Sequence, residues 1–128
     1  MNYLGLAESL IIAEEVTGID ALDLARVSRL ELLDSALHAP QAGFGETDLY
    51  PSLIEKAAVL CIRLTLNHPL PDGNKRLAWI AMVTFLEMND AELHVDENDA
   101  VLTMMSVAAG DTTIQSLAEW LDRRVRFL

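Results

Sequence analysis

The sequence has little of what several common functions require. Its single cysteine, Cys61, lies in the apolar stretch AAVLCIRL, which excludes a disulfide framework and favours a core position for the thiol. Its three histidines are far apart and show no zinc-ligand spacing with Cys61. Only nine residues are Lys or Arg against 20 Asp and Glu, giving a formal net charge of −11. Direct nucleic-acid binding is therefore disfavoured, because it needs clustered basic residues that neutralise phosphates.

Long hydrophobic runs are also missing. The longest apolar stretches, such as LAWIAMVTFL, are too short to cross a bilayer, and the N-terminus lacks the features of a signal peptide. We therefore expect a cytoplasmic protein without membrane contact. With 52% hydrophobic residues, a chain of 128 residues can bury a core, which predicts one domain spanning residues 1–128.

Apolar residues recur at helical spacing through most of the chain, and no segment alternates as a strand does. This pattern predicts an all-α fold, a single-domain helical bundle with an anion-binding loop before a central helix. The expected helices cover residues 6–16, 27–38 and 53–67, a central and most buried segment from 74 to about 88, a segment from 96 or 98 to 110, and a last one from about 114. Residues 93–95 are at most a short extended piece.

Local signals refine these boundaries. Ser52 and Glu55 have the spacing of a capping box at the start of the third helix, and Pro69 predicts that this helix ends at His68. Residues 39–51 form the longest irregular stretch, the kind of surface loop that often carries binding residues. We interpret Arg123, Arg124 and Arg126 as solvated charges at the end of the last helix.

The stretch NHPLPDGNKRLAW, residues 67–79, is not explained by composition. In this acidic chain Lys75 and Arg76 are adjacent and lie shortly after His68. Pro69 and Pro71 restrict the backbone, and the turn signal PDG leads into the start of a helix. A helix N-terminus offers free N–H groups and a positive dipole end, so this segment favours phosphate.

Neighbouring residues supply what phosphoryl or nucleotidyl transfer needs. Asp72 is a hard oxygen ligand suited to Mg²⁺, and Asn74 can donate its amide N–H to a phosphate oxygen. Histidine titrates near neutral pH, so His68 is a candidate general base. Each residue alone is more typical of an ordinary turn or helix end. Their joint occurrence on one stiff turn favours a phosphate site.

At these residues the sequence resembles the Fic/Doc family, whose loop reads His-Pro-Phe-x-Asp/Glu-Gly-Asn-x-Arg between two helices of an all-α fold. The matching residues are His68, Pro69, Asp72, Gly73, Asn74 and Arg76. The chain is most similar to the Doc branch, the toxins of "death on curing" toxin–antitoxin pairs, over about residues 30–120. The resemblance implies His68 as base, Asp72 as Mg²⁺ ligand, and phosphate or nucleotide contacts from Gly73, Asn74, Lys75 and Arg76.

The resemblance also separates two reactions. Members of the family that transfer AMP carry Gly after the motif Asn and a second Arg three residues after the first, where this chain has Lys75 and Trp79. Doc proteins with such a loop resemble kinases, which pass the γ-phosphate of ATP to a threonine of elongation factor Tu and arrest translation. The implied function is therefore a Mg-ATP-dependent kinase, with an AMP transferase or a degenerate, non-catalytic binding module as alternatives.

Further expectations concern the surroundings of the loop. Leu70 replaces the usual Phe as the residue that anchors the loop in the core, and Trp79 is expected to pack in the core rather than border the nucleotide. The resemblance implies two protein partners, elongation factor Tu as substrate and a small cognate, Phd-like antitoxin. Target specificity is expected from the surface around the loop, including residues 40–51.

Overall fold

The structure, a computed structural model, describes residues 1–128 and is mostly helical. Its seven α-helices are α1 (Leu6–Thr17), α2 (Ala21–Val27), α3 (Leu30–His38), α4 (Leu53–Asn67), α5 (Asn74–Met88), α6 (Glu97–Ala108) and α7 (Ile114–Asp122). Two short two-stranded antiparallel sheets are present: a hairpin of β1 (Gly43–Phe44) and β2 (Thr47–Asp48), and a pairing of β3 (Ala91–Leu93) with β4 (Val125–Phe127). The all-α prediction is confirmed, since no strand exceeds three residues.

Helix α4 is the centre of the bundle and packs against α3, α5, α6 and α7. Small side chains such as Ala57, Ala58 and Cys61 are fully buried on it, which lets neighbouring helices approach from several sides. The prediction that the helix starting at Asn74 is the most buried one is wrong. Seven residues of α5 are buried against ten of α4, because one flank of α5 carries the exposed Lys75 and Arg76.

The thiol of Cys61 lies in this core, as the sequence predicted. Burial raises its pKa to about 12, because the thiolate would lose its hydration inside the protein. The thiol therefore stays protonated and acts as a small hydrophobic group.

None of the helices combines the length and apolarity needed to span a bilayer.

The ends of α4 follow local sequence signals. The Ser52 hydroxyl caps the helix by accepting the Glu55 backbone N–H at 3.0 Å. The capping box is incomplete, however, because the Glu55 carboxylate accepts the Ser52 hydroxyl at 3.0 Å rather than the Ser52 backbone N–H. The helix ends at Asn67, one residue before the predicted end, and Pro69 excludes a helical conformation for His68. His68 takes a left-handed conformation rather than the extended one that is usual before proline.

The predicted helix over residues 27–38 is wrong at its start. Residues Ala21–Val27 form a separate helix, and α3 begins only at Leu30. Ser28 and Arg29 between them leave the helical conformation. The break has a tertiary cause, since the backbone N–H of Arg29 donates to the carbonyl of Pro69 at 2.9 Å instead of continuing a helix.

The interpretation of the C-terminal arginines also needs correction. Helix α7 ends at Asp122, and Arg126 lies on β4, which pairs with β3 at residues 91–93 rather than 93–95. Arg124 is not a solvated charge. Its guanidinium donates to the Asp99 carboxylate at 2.8 Å and to the Trp120 carbonyl at 2.9 Å, and lies 4.4 Å from the Trp120 ring centroid. It links α6 to the end of α7.

These contacts predict different effects for two adjacent arginines. Arg124→Met should lower the free energy of unfolding by about 1–2 kcal/mol, because it removes charge-assisted hydrogen bonds at a site that is only a quarter exposed. Arg123→Met is the matched control, and the exposed Arg123 should change stability by less than about 0.5 kcal/mol. Urea unfolding of both variants measures the difference. Equal effects would contradict the link through Arg124.

Candidate active site

The stretch singled out in the sequence is the connection between the end of α4 and the start of α5, residues 68–73. His68 opens this connection with φ 53° and ψ 54°, in the left-handed region. This conformation costs a non-glycine residue on the order of 1 kcal/mol or more, so surrounding contacts must hold it. We call residues 68–73 the anion loop.

The first support of the anion loop comes from the α2–α3 junction. Arg29 donates its guanidinium to the carbonyl of His68 at 2.5 Å and its backbone N–H to the carbonyl of Pro69 at 2.9 Å. The side chain of Asn67 donates to the Leu32 carbonyl at 3.0 Å and ties the end of α4 to α3. These bonds connect both sides of His68 to the beginning of α3.

The second support is a pair of hydrogen bonds between Asn74 and Leu70. The Asn74 side-chain oxygen accepts the Leu70 N–H at 2.9 Å, and its amide donates to the Leu70 carbonyl at 2.9 Å. Asn74 is only 4% exposed, and the Leu70 side chain is 2% exposed in the core. The aliphatic Leu70 therefore anchors the loop where an aromatic residue was expected from the family pattern. A phosphate contact from the remaining N–H of Asn74 stays a prediction.

Gly73 ends the loop and serves as the N-cap of α5 with φ 84°. A Cβ at this position would also lie 3.1 Å from the Val16 side chain and 3.3 Å from that of Thr17 at the end of α1. The positive φ therefore favours glycine here, and a larger residue would also have to displace these side chains by a few tenths of an ångström. The close approach of α1 closes the loop from a third side.

The start of α5 carries unbalanced positive charge. The first backbone bond of the helix runs from the N–H of Leu77 to the carbonyl of Gly73, so the preceding N–H groups have no intrahelical partner. The first turn contains no acidic residue, and the exposed Lys75 and Arg76 form no ion pair within the protein. Cations are unfavourable at a helix N-terminus, so the arrangement is suited to a bound anion.

A surface pocket of about 350 Å³ joins these groups. It is lined by Thr65, His68, Asp72, Gly73, Asn74, Lys75, Arg76 and Ala108. All six site residues predicted from the sequence therefore border one cavity. Of its eight lining residues six are polar or charged, one is glycine, and Ala108 is the one hydrophobic member.

The side chains of His68 and Asp72 are free to act in this pocket. Both residues are exposed, and neither takes part in an ion pair within the protein. No group of three or more His, Cys, Asp or Glu side chains converges to form a metal cage. A lone carboxylate beside a phosphate pocket fits Mg²⁺, which is commonly held by one or two carboxylates together with phosphate oxygens and water.

A second pocket of about 370 Å³ shares Lys75 and Arg76 with the first. Its remaining lining is mostly apolar and comes from α5 and α6: Trp79, Ile80, Glu97, Ala100, Val101, Met104 and Met105. Trp79 packs against the core and meets Trp120 edge-on with ring centroids 6.2 Å apart, while also bordering this pocket. The prediction of a core position for Trp79 is therefore incomplete.

Two features were not foreseen from the sequence. Arg29 supports the anion loop from a position 39 residues before His68, and no local motif marks it. The largest groove, about 800 Å³, lies between the start of α4 and α7 and contains none of the predicted site residues. Its lining includes Leu49, Glu55, Glu119 and Phe127. None of its lining residues is a Lys, Arg or His, so it has no cation next to a candidate base. All six predicted site residues instead line the smaller pocket at the anion loop.

Comparisons with known proteins point to the same region. Residues 8–86 match the Fic/DOC family, a segment that includes the anion loop and most of α5. The chain is also 45% identical over 89 residues to a protein named Toxin Doc from Mycolicibacterium smegmatis (strain ATCC 700084 / mc(2)155). That match covers 68% of this chain and 68% of the relative.

The Asn74–Leu70 pair gives a testable prediction about the loop. Asn74→Ala leaves the buried N–H and carbonyl of Leu70 without partners, and each such group costs about 1–3 kcal/mol, so we expect stability to fall by about 2–4 kcal/mol. Asn67→Ala, which removes one bond to Leu32, should cost about 1 kcal/mol. Urea unfolding compares the two, and an equal loss would contradict the special role of Asn74.

Proposed function

The chain belongs to the Fic/DOC family, and from this premise we propose that it is a Doc-type toxin of a toxin–antitoxin pair. We propose further that it transfers the γ-phosphate of ATP to a threonine hydroxyl of elongation factor Tu and thereby arrests translation. Membership of the family supports a transferase-type enzyme that uses a nucleotide. The Doc toxin among its relatives supports the toxin role.

One observation carries the proposal: two unpaired cations lie at the free N-terminus of α5 in a chain of formal net charge −11. Lys75 and Arg76 have no acidic partner, although the chain has 20 Asp and Glu against nine Lys and Arg. The helix dipole opposes this placement. A polyphosphate in the pocket would offset that unfavourable interaction.

The side chains around the pocket fit phosphoryl transfer. His68 accepts the proton of the threonine hydroxyl as the hydroxyl oxygen forms its bond to the γ-phosphorus. The bond from that phosphorus to the bridging oxygen breaks, and ADP leaves. Lys75, Arg76 and the free N–H groups of α5 stabilise the phosphate charge. Asp72 would hold Mg²⁺, which would neutralise phosphate charge and orient the phosphate chain of ATP.

The apolar pocket of α5 and α6 supports a nucleotide rather than free phosphate. It adjoins the phosphate pocket through Lys75 and Arg76, so a ligand with a charged chain and a flat apolar group can reach both. Trp79 and the methionines at 104 and 105 offer polarisable surface for a base. Glu97 on its rim can accept a hydrogen bond from an exocyclic amino group.

The position after Asn74 favours transfer of the γ-phosphate over transfer of AMP. AMP transfer would place the β- and γ-phosphates against the start of α5, where the side chain of Lys75 takes up space that a glycine would leave open. Trp79 packs against Trp120 and offers no guanidinium for those phosphates. The γ-phosphate reaction needs only the end of the phosphate chain in the pocket.

The proposal implies a second protein partner in the cell. A toxin of this kind requires a cognate antitoxin, which we expect to be a small Phd-like protein whose disordered C-terminal segment folds on binding. A degenerate chain that only binds its antitoxin would need none of the free groups in the phosphate pocket. The exposed, unpaired His68 and Asp72 therefore favour an active enzyme.

Labelled ATP tests the reaction directly. We expect purified elongation factor Tu incubated with the protein and Mg²⁺ to become labelled from γ-labelled ATP but not from α-labelled ATP. His68→Ala should reduce the rate by about 10²- to 10⁴-fold, because a positioned base typically contributes that much. The fold of the variant should be unchanged by circular dichroism, since His68 is exposed.

Other labelling results would contradict the kinase proposal. Label transferred from the α-position would identify an AMP transferase and overturn the kinase proposal. An absence of label from either position, with a folded protein that binds its antitoxin, would identify a binding module. A fully active His68→Ala would remove the base from the mechanism.

Arg76 offers a test of the phosphate pocket that does not depend on turnover. Arg76→Gln should weaken binding of Mg-ATP at least about tenfold, equal to about 1.4 kcal/mol, because it removes a charge-assisted contact. Arg123→Gln changes the net charge equally at an exposed helix end and should alter affinity less than twofold. Calorimetry measures both. Equal affinities for the two variants would remove Arg76 from the phosphate site.

A further inference from the structure

Helix α6 has little core packing at the end that lines the apolar pocket. The buried residues of α6 are Met104 and Val107, and both lie in its second half. The first half supplies Glu97, Ala100 and Val101 to the pocket, and none of these three residues is buried. Burial of apolar side chains therefore does little to fix this wall of the pocket, and another interaction must hold it.

That interaction comes from α7 and passes through Asp99. One carboxylate oxygen of Asp99 accepts the indole N–H of Trp120 at 3.3 Å, and the other accepts the guanidinium of Arg124 at 2.8 Å. Arg124 also donates to the carbonyl of Trp120 and lies over its ring. We call Asp99, Trp120 and Arg124 the α6–α7 cluster. Each member contacts both of the others.

The α6–α7 cluster also supports the part of the pocket that comes from α5. Trp79 lines the pocket, and its ring meets that of Trp120 edge-on with the centroids 6.2 Å apart. On the α6 side, Asp99 is the residue directly before Ala100 in the pocket lining. No member of the cluster lines the pocket itself. The cluster therefore stands behind both helices that form the pocket.

The bonds of Asp99 fix the rotation of α6 as well as its distance from α7. Two donors bind the two oxygens of one carboxylate, and the planar guanidinium adds geometric specificity. The residues that line the pocket from α6 recur at helical spacing and share one face: Glu97, Ala100, Val101, Met104 and Met105. A rotation of the helix would move this whole face relative to α5.

We propose that Asp99 and Arg124 are positioning residues for the base of the nucleotide. The inference rests on the proposed function, because it assigns the apolar pocket to the base of ATP. The two residues do not touch the ligand. They hold the first half of α6 and, through Trp120, the ring of Trp79. The phosphate pocket is built mainly by the anion loop and the start of α5, so its affinity for phosphate should not depend on them.

Two ligands that differ in the base separate this role from a general structural one. Arg124→Met should raise the Kd for Mg-ATP about fivefold, while the Kd for Mg-tripolyphosphate, which has no base, should change less than about twofold. Calorimetry measures both under conditions in which the variant is folded. Arg123→Met removes the same charge from an exposed neighbouring position and should alter neither affinity.

A second variant covers the case in which Arg124→Met does not fold. Asp99→Asn keeps the size of the side chain but removes its charge, and it should weaken Mg-ATP binding about threefold. Hydrogen exchange adds a readout that needs no ligand. In either folded variant, exchange of the amides of residues 101–103 should increase at least about threefold more than that of the α4 amides, which report global unfolding.

Equal weakening for the two ligands, or unchanged exchange in the first half of α6, would overturn the positioning role. Unchanged affinity for Mg-ATP in both folded variants would also overturn it. A wild-type protein that binds Mg-ATP no more tightly than Mg-tripolyphosphate would show that the pocket receives no base, with the same consequence. If the predicted ligand selectivity is observed but no phosphate reaches elongation factor Tu, the proposed function fails and the positioning role is supported.

Discussion

The pair of hydrogen bonds between Asn74 and the backbone of Leu70 is the constraint on which the site depends. It joins the first residue of α5 to the middle of the anion loop, and both partners are buried. The loop therefore cannot move independently of the helix start that provides the free N–H groups. Because the Leu70 side chain is also in the core, the position of the loop is coupled to the packing of the bundle.

This coupling explains how an acidic protein can present a cationic site. Lys75 and Arg76 project from a helix whose other face is packed against α4, and neither forms an ion pair within the protein. Arg29 meanwhile is committed to the backbone of His68 and Pro69 and holds the strained conformation of His68. A site that is rigid before the ligand arrives loses little conformational entropy on binding, which favours both affinity and catalysis.

The success of the sequence-based predictions depended on the range of the interactions involved. Helix caps and turns, such as Ser52 at the start of α4 and Gly73 before α5, follow from local chemistry and were predicted near their observed positions. The break before α3 was not, because it depends on a bond from Arg29 to Pro69 across the fold. Arg124 was misinterpreted for the same reason, since its partner Asp99 is 25 residues away.

The candidate site shows the same difference between features set by local sequence and features set by long-range packing. The residue types and spacing from His68 to Arg76 predicted a common pocket, and all six predicted residues border one. The second role of Asn74, its bonds to the loop backbone, depends on the loop conformation and has no signature in the sequence. The contribution of α6 to the adjoining apolar pocket depends on how α6 packs against α5, which periodicity does not specify.

The most direct test of the account is a crystal structure of the protein with Mg²⁺ and a non-hydrolysable ATP analogue. We predict that the γ-phosphate lies against the start of α5 beside Lys75 and Arg76, that Asp72 contacts the metal, and that the base occupies the apolar pocket of α5 and α6. The anion loop should keep the Asn74–Leu70 bonds. Phosphates bound elsewhere, or a loop that rearranges and breaks those bonds on binding, would contradict a preformed phosphate site.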